Sequence, residues 1–124
     1  MIYYVHAIVK NRYYKCNLCA FVREDEIFDI QHVGQNVTRN EAKYLGVILA
    51  LLNAKKSALK FVEIHTDSRL IVDQLNKKHK LTRITLSKYA HHIWDNFKDI
   101  EKIFYWGSRE QNKAYLLLDK AREE

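Results

Sequence analysis

Few residues in this 124-residue chain are spaced for chemistry of their own. Cys16 and Cys19 flank two residues, but a lone pair does not complete a tetrahedral zinc site, and residues three apart on a strand face opposite sides. Two cysteines are also too few for a disulfide framework and fit a reducing compartment. The histidines (His6, His32, His65, His79, His91, His92) are scattered, and none has a ligand spacing with acids. Asp67 and Ser68 stand where a strand gives way to a helix, a place where either residue commonly caps the helix. The segment Asn76-Lys77-Lys78-His79-Lys80-Leu81-Thr82-Arg83 carries four formal positive charges and no acid. A run of this kind is either a solvated loop or a surface that attracts phosphates. Tyr3, Tyr4, Tyr13 and Tyr14 either stack on bases or divide between core and surface.

Charge is the clearest bulk property. Lys plus Arg number 21 and Asp plus Glu 15, a net +6, with an isoelectric point near 9.3. This favours an anionic partner, nucleic acid or an acidic protein surface. Three glycines and no proline leave no Gly-rich loop to cradle phosphates, which speaks against nucleotide-hydrolysing and dinucleotide-binding enzymes. With 48% hydrophobic and 29% charged residues the chain is not a disordered tail. The longest apolar run, Val47 to Leu52, is far short of the ~20 residues of a membrane span. No basic leader precedes an apolar stretch at the start. The expectation is one intracellular, cytoplasmic globular domain over residues 1–124, without membrane association.

The elements that must position these residues follow from periodicity. Residues 2–9, 13–22 and 26–33 are rich in β-branched and aromatic types, with polar breaks at Asn11-Arg12 and Glu24-Asp25, which predicts an antiparallel three-stranded meander. From Thr38 the period changes: Ala42, Leu45, Ile48, Leu49 and Leu52 share one helical face, and Thr38 with Glu41 forms a capping-box signature. A strand is predicted over 61–66 and a short helix from about Ser68. A second amphipathic helix carries Leu86, Tyr89, Ala90, Ile93 and Phe97. A strand over 102–106 and a last helix with Ala114, Leu117, Leu118 and Ala121 inward complete the chain. The order βββ-α-β-α-α-β-α implies an α/β fold: a five-stranded mixed sheet, meander plus parallel strands, flanked by helices.

That order resembles the ribonuclease H fold, and three strings strengthen the likeness. Thr38-Arg39-Asn40-Glu41-Ala42-Lys43-Tyr44 opens the first helix. Ile64-His65-Thr66-Asp67-Ser68 ends a strand and runs into Leu70-Ile71-Val72-Asp73-Gln74-Leu75. Arg109-Glu110-Gln111-Asn112-Lys113 precedes the last helix. Together they resemble the reverse-transcriptase-like branch of ribonuclease HI. The resemblance implies a nuclease that cuts the RNA strand of an RNA–DNA hybrid with two divalent cations held by four carboxylates. The family's first acid, on strand one before a glycine, is expected at Val5, with His6 in the glycine's place. The second falls at Lys43, the third at Asp67, and the fourth at Leu116. Three of the four are thus not acids, and a site of nominal charge about −4 sums to 0, too little to hold a dehydration-reluctant ion.

The expectation is therefore a catalytically inactive member that binds nucleic acid, RNA or an RNA–DNA hybrid, with no catalytic residue beyond a residual Asp67, no metal and no cofactor. Its candidate contacts are Thr38, Asn40, Lys43, Ser68, Arg69, Lys77, Lys78, Lys80 and Arg83. Lys43 either fills the position of a metal and meets Asp67 or a phosphate, or is a solvated helix lysine. Two alternatives are a protein-interaction or regulatory module on the same fold, and an endonuclease with displaced ligands such as Asp67, Asp119 and a carboxy-terminal glutamate.

Overall fold

The computed structural model describes residues 1–9, 17–77 and 84–122. Its strands are β1 (Ile2–Ile8), β2 (Leu18–Arg23), β3 (Phe28–His32), β4 (Phe61–Thr66) and β5 (Glu101–Trp106); its helices are α1 (Arg39–Lys56), α2 (Arg69–Leu75), α3 (Ile84–Asn96) and α4 (Lys113–Arg122). The strands form one sheet in the order β3-β2-β1-β4-β5. β1, β2 and β3 pair antiparallel, whereas β4 lies parallel to both β1 and β5. This is the expected mixed sheet, its meander and parallel halves meeting at β1 and β4. No helix of the described residues is long and apolar enough to cross a membrane.

The two sheet faces differ. Tyr3, Val5, Phe21, Val62, Ile64 and Phe104 point into the main core, where they meet Val47 and Leu51 of α1, Ile71 of α2 and Ile93 of α3. The opposite face is covered over β1 and β2 by α4, whose Ala114 and Leu118 are fully buried. α1 starts where the sequence places it: Glu41 N–H donates to Thr38 Oγ1 and Thr38 N–H to Glu41 Oε1, each at 3.2 Å, so two otherwise orphaned donors are satisfied. Its buried stripe is rotated from the expected one. Tyr44, Val47, Ala50, Leu51 and Ala54 are buried, whereas Leu52 is 51% exposed. The helix is apolar around much of its circumference, so spacing alone leaves its inward face open. Leu86, Ala90 and Ile93 of α3, and Phe97 just past its end, do point inward as expected. The Tyr44 hydroxyl donates to Gln74, tying α1 to α2 within the core.

Candidate functional site

The parallel pairing of β1 with β4 fixes what faces what. Tyr3 stands opposite Ile64 and Tyr4 opposite His65, so two residues further on His6 stands beside Asp67, at the carboxyl ends of both strands. Crevices of α/β sheets form at such ends. Here His6, Arg39, Lys43, Arg109, Tyr115 and Asp119 line a cleft of about 210 Å³.

Asp67 lies beside it, held by three of its lining residues. The carboxylate, 5% exposed, has His6 Nδ1 at 3.3 Å and Lys43 Nζ at 3.9 Å from Oδ1, and accepts from Arg109 Nε at 3.0 Å on Oδ2. Burial opposes its ionisation. That is outweighed by the hydrogen bond and charge of His6, the ammonium of Lys43 and the guanidinium of Arg109, which hold its pKa well below the usual carboxylate range. Burial lowers the pKa of Lys43; Asp67 pulls it back up, while Arg109 and Arg39 push it down again. Lys43 is therefore a desolvated cation whose carboxylate partner, Asp67, is shared with two other groups.

The backbone here is held by residues with no charge. Ser68, not Asp67, caps α2: its Oγ accepts from the Ile71 N–H at 3.3 Å. Trp106 Nε1 donates to the Asp67 carbonyl at 3.0 Å, and the Arg69 guanidinium lies over the same indole at 4.2 Å. Asn112 fastens α4 to β1: its Nδ2 donates to the Val5 carbonyl at 3.0 Å, and its Oδ1 accepts the N–H groups of Ala114 and Tyr115. This cap aims Tyr115 at the cleft, where its ring stands edge-on to His6 with centroids 5.1 Å apart.

Two expected positions move. Val5 does not face Asp67; its side chain is buried in the core, because alternate residues of β1 point to opposite faces, and the residue beside Asp67 is His6. Leu116 does not line the cleft. It is 51% exposed and borders a groove with Val22, Phe28 and Lys120 on the other flank of α4, while Tyr115 and Asp119 face the cleft, about 100° and 60° away around the helix. With no acid on β1 or in the first turn of α4, the sequence has nothing to anchor either register. The same lack of signal hid His6, Arg39, Arg109 and Tyr115 as site residues; the pairing of β1 with β4 would have found His6.

Of the expected contacts, the structure brings Lys43 to Asp67 and sets Ser68 and Arg69 beside it. Thr38 serves as the α1 cap and Asn40 is half-buried in its first turn. Lys77 is apart, its ammonium 4.8 Å from the centre of the Trp94 ring. Lys78, Lys80 and Arg83 lie outside the described residues, as do Cys16, Tyr13 and Tyr14. A Mg²⁺ ion needs several negative oxygens around it. Among the described residues no group of three or more His, Cys, Asp or Glu side chains could hold a metal ion. The residues around Asp67 do not fit a divalent cation: its oxygens face His6, Lys43 and Arg109.

Comparison with known proteins agrees with this fold. The family model described as "Reverse transcriptase-like" matches residues 23–118. No curated protein matches. Among similar solved structures, the RNase H1 of the halophilic archaeon Halobacterium salinarum NRC-1 has a TM-score of 0.82 at 18% identity, with 98% of this chain and 96% of that one covered. The N-terminal RNase H domain of rv2228c from Mycobacterium tuberculosis has a TM-score of 0.80 at 22% identity, over 98% and 92%. LC11-RNase H1, solved in complex with an RNA/DNA hybrid, has a TM-score of 0.79 at 25% identity, over 97% of each chain.

Proposed function

We propose that this chain, which belongs to the reverse-transcriptase-like family and has the ribonuclease H fold, binds RNA or an RNA–DNA hybrid without cleaving it. The observation that carries this reading is the state of Asp67. Its carboxylate is already engaged by His6, Lys43 and Arg109, so the negative charge a metal would need is neutralised from within the protein. Recruiting Mg²⁺ there would require displacing a buried ammonium as well as stripping waters from the ion. The same change of sign favours an anion. Arg39, Lys43 and Arg109 line the cleft with Asp119, and Asp67 pairs with Lys43 and Arg109 beside it, a formal excess of one positive charge (three minus two). Phosphates of a nucleic acid backbone are the anions such a surface attracts irrespective of sequence. The complex of LC11-RNase H1 with an RNA/DNA hybrid supports a hybrid as the first ligand to test.

The experiment pairs a cleavage assay on a labelled hybrid, with Mg²⁺ and with Mn²⁺, with a binding titration in chelator. Binding that survives chelator, weakens steeply with salt and is accompanied by no cleavage is the expected result. Metal-dependent cleavage abolished by Asp67→Asn would overturn the inactive reading. Affinity no tighter than about 1 µM at low salt, no better than ordinary non-specific binding, would overturn the nucleic-acid reading.

A further inference from the structure

α4 covers one sheet face over β1 and β2, and among the described residues that same face continues across β4 and β5 beyond the main contacts of α4. The register sets three rings in a row there. Tyr4 pairs with His65 and His65 with Tyr105, one ring from each of β1, β4 and β5. Neighbouring centroids are 5.4 and 5.3 Å apart, and the planes are tilted by 47° and 38°, so the rings line up across the strands without stacking flat on one another. Tyr105 is 41% exposed and Ile103, on the same strand and face, 38%. Where Tyr4 and His65 meet the loop after β5, a pocket of about 250 Å³ opens, bordered by Gly107, Ser108, Gln111 and Asn112. A Cβ at Gly107 would meet nothing within 4 Å, and Ser108 spends no side-chain hydrogen bond on capping the turn it precedes. The pocket thus has aromatic walls and a rim carrying a hydroxyl and an amide, the donors and acceptors that the edge of a nucleobase reads.

We propose that the Tyr4–His65–Tyr105 row and the adjoining Ser108–Gln111 pocket form a stacking platform for unpaired bases of a single-stranded nucleic acid. Aromatic rings spread over an open sheet bind bases by their faces, which a paired helix keeps hidden inside its stack. Charge favours this occupant over a peptide. Lys113 lies 6.0 Å from the centre of the Tyr4 ring, and Arg109, 57% exposed, lies over Tyr115 at the adjoining end of α4. Both stand on the side where the platform meets the cleft; each holds a carboxylate, Glu26 at 2.7 Å and Asp67 at 3.0 Å, that a phosphate between stacked bases would replace. Glu101 lies at the opposite end of β5, and Glu63, with Oε2 3.6 Å from His65 Nε2, is taken up by that ring. Tyr4 and His6 project from the same face of β1 two residues apart, about 7 Å along the strand, so a strand leaving the cleft reaches the first ring within a nucleotide. The platform does not depend on whether the cleft has lost its catalysis.

The test is fluorescence anisotropy with a labelled 12-nucleotide single-stranded RNA, alongside the hybrid of the same sequence. Tyr105→Ala and His65→Ala are each expected to weaken single-strand binding about tenfold, a typical loss per stacked base. Tyr105→Trp should restore it, and the hybrid's affinity should change less than threefold. Because stacking carries no net charge, the loss in Tyr105→Ala should be the same at low and high salt, unlike a loss of phosphate contacts. A 5-iodouridine strand should crosslink to the peptide containing Tyr105. Single-strand affinity unchanged in both alanine variants overturns the proposal, as does wild-type protein that binds the hybrid but not the single strand. Concentration-dependent self-association abolished by Tyr105→Ala overturns it too, by assigning the face to a second copy of the chain. Loss of binding in Lys43→Glu with the platform variants intact bears on the cleft alone.

Discussion

Two stretches of one sheet face handle polar groups in opposite ways. Under α4, at the end of β1, His6 is buried and Asp67, Lys43 and Arg109 neutralise one another around it. Past α4, Tyr4, His65 and Tyr105 form a row of tilted rings whose charged neighbours are Lys113 beside Tyr4 and Glu63 beside His65. Coverage makes the difference. Where a helix excludes water, every charge must find a partner inside the protein; where none does, side chains keep faces free for something else. A ligand at the cleft must therefore compete with Asp67 for Lys43 and Arg109, and its affinity is set by salt and by the balance of buried charge. A ligand on the open face meets aromatic rings first. Breaking the internal ion cluster should accordingly disturb folding more than any change on the open face.

The largest effect is expected for Asp67→Ala. Lys43, with a side chain 12% exposed, would lose its counterion; an uncompensated buried charge of this kind costs about 3 kcal/mol of stability. Arg109, 57% exposed, adds little of its own. Urea denaturation should show that loss, against less than about 1 kcal/mol for the exposed Tyr105→Ala. Equal losses in the two variants would erase the contrast between cleft and open face. The same cluster predicts an acid limb. The folded pKa of Asp67 lies below its unfolded value, so its contribution is complete above about pH 4, the range of a free carboxylate, and is lost as pH falls from there toward the depressed folded value. Melting temperature followed from pH 6 down to pH 2 should fall less steeply in Asp67→Asn than in the parent.

Much of the architecture was legible because it rests on local signals: alternation and β-branched residues for the strands, the Thr38–Glu41 capping box for α1, and a clean apolar stripe for α3. α1 misled for the reason that its apolar residues cover more than one face; Leu52 fits the periodic pattern as well as Leu51, and only the sheet decides between them. The site was half-legible. Asp67, Ser68 and Lys43 sit inside strings with strong local character, so they were placed correctly relative to their elements. His6 and Tyr115 were not, because their role depends on strand register and on the rotation set by the Asn112 cap, both long-range properties. The ring row was hidden for the same reason: Tyr4, His65 and Tyr105 are distant in sequence and meet only through pairing of β1, β4 and β5.

A smaller effect separates binding at the cleft from binding elsewhere. Lys43→Glu reverses one charge next to Asp67 and should weaken hybrid or RNA binding about tenfold at low salt, with the slope of log affinity against log salt reduced by about one, the signature of a lost phosphate contact. An unchanged slope would move the phosphate-binding surface away from the cleft, most directly to the basic stretch that includes Lys77.

The smallest effect is predicted where the family pattern and the geometry disagree about the fourth acidic position. Leu116 is where the Arg109–Asn112 string would lead one to restore a carboxylate, yet it points to the groove beside Val22 and Phe28 rather than to Asp67. Leu116→Asp should therefore alter stability by no more than about 0.5 kcal/mol, as surface changes usually do, and should leave Mn²⁺ affinity at the level of the parent. The double change His6→Asp with Lys43→Glu acts on the two side chains that stand at 3.3 and 3.9 Å from Asp67. It removes one cation and gathers three carboxylates at one point, the kind of oxygen cluster a hard divalent ion requires. Titration of Mn²⁺ followed by electron paramagnetic resonance should detect bound ion in the double variant and none in Leu116→Asp. Mn²⁺ bound in Leu116→Asp would mean that α4 turns about its axis to bring residue 116 inward, and that the Asn112 cap does not fix which side of the helix the cleft sees.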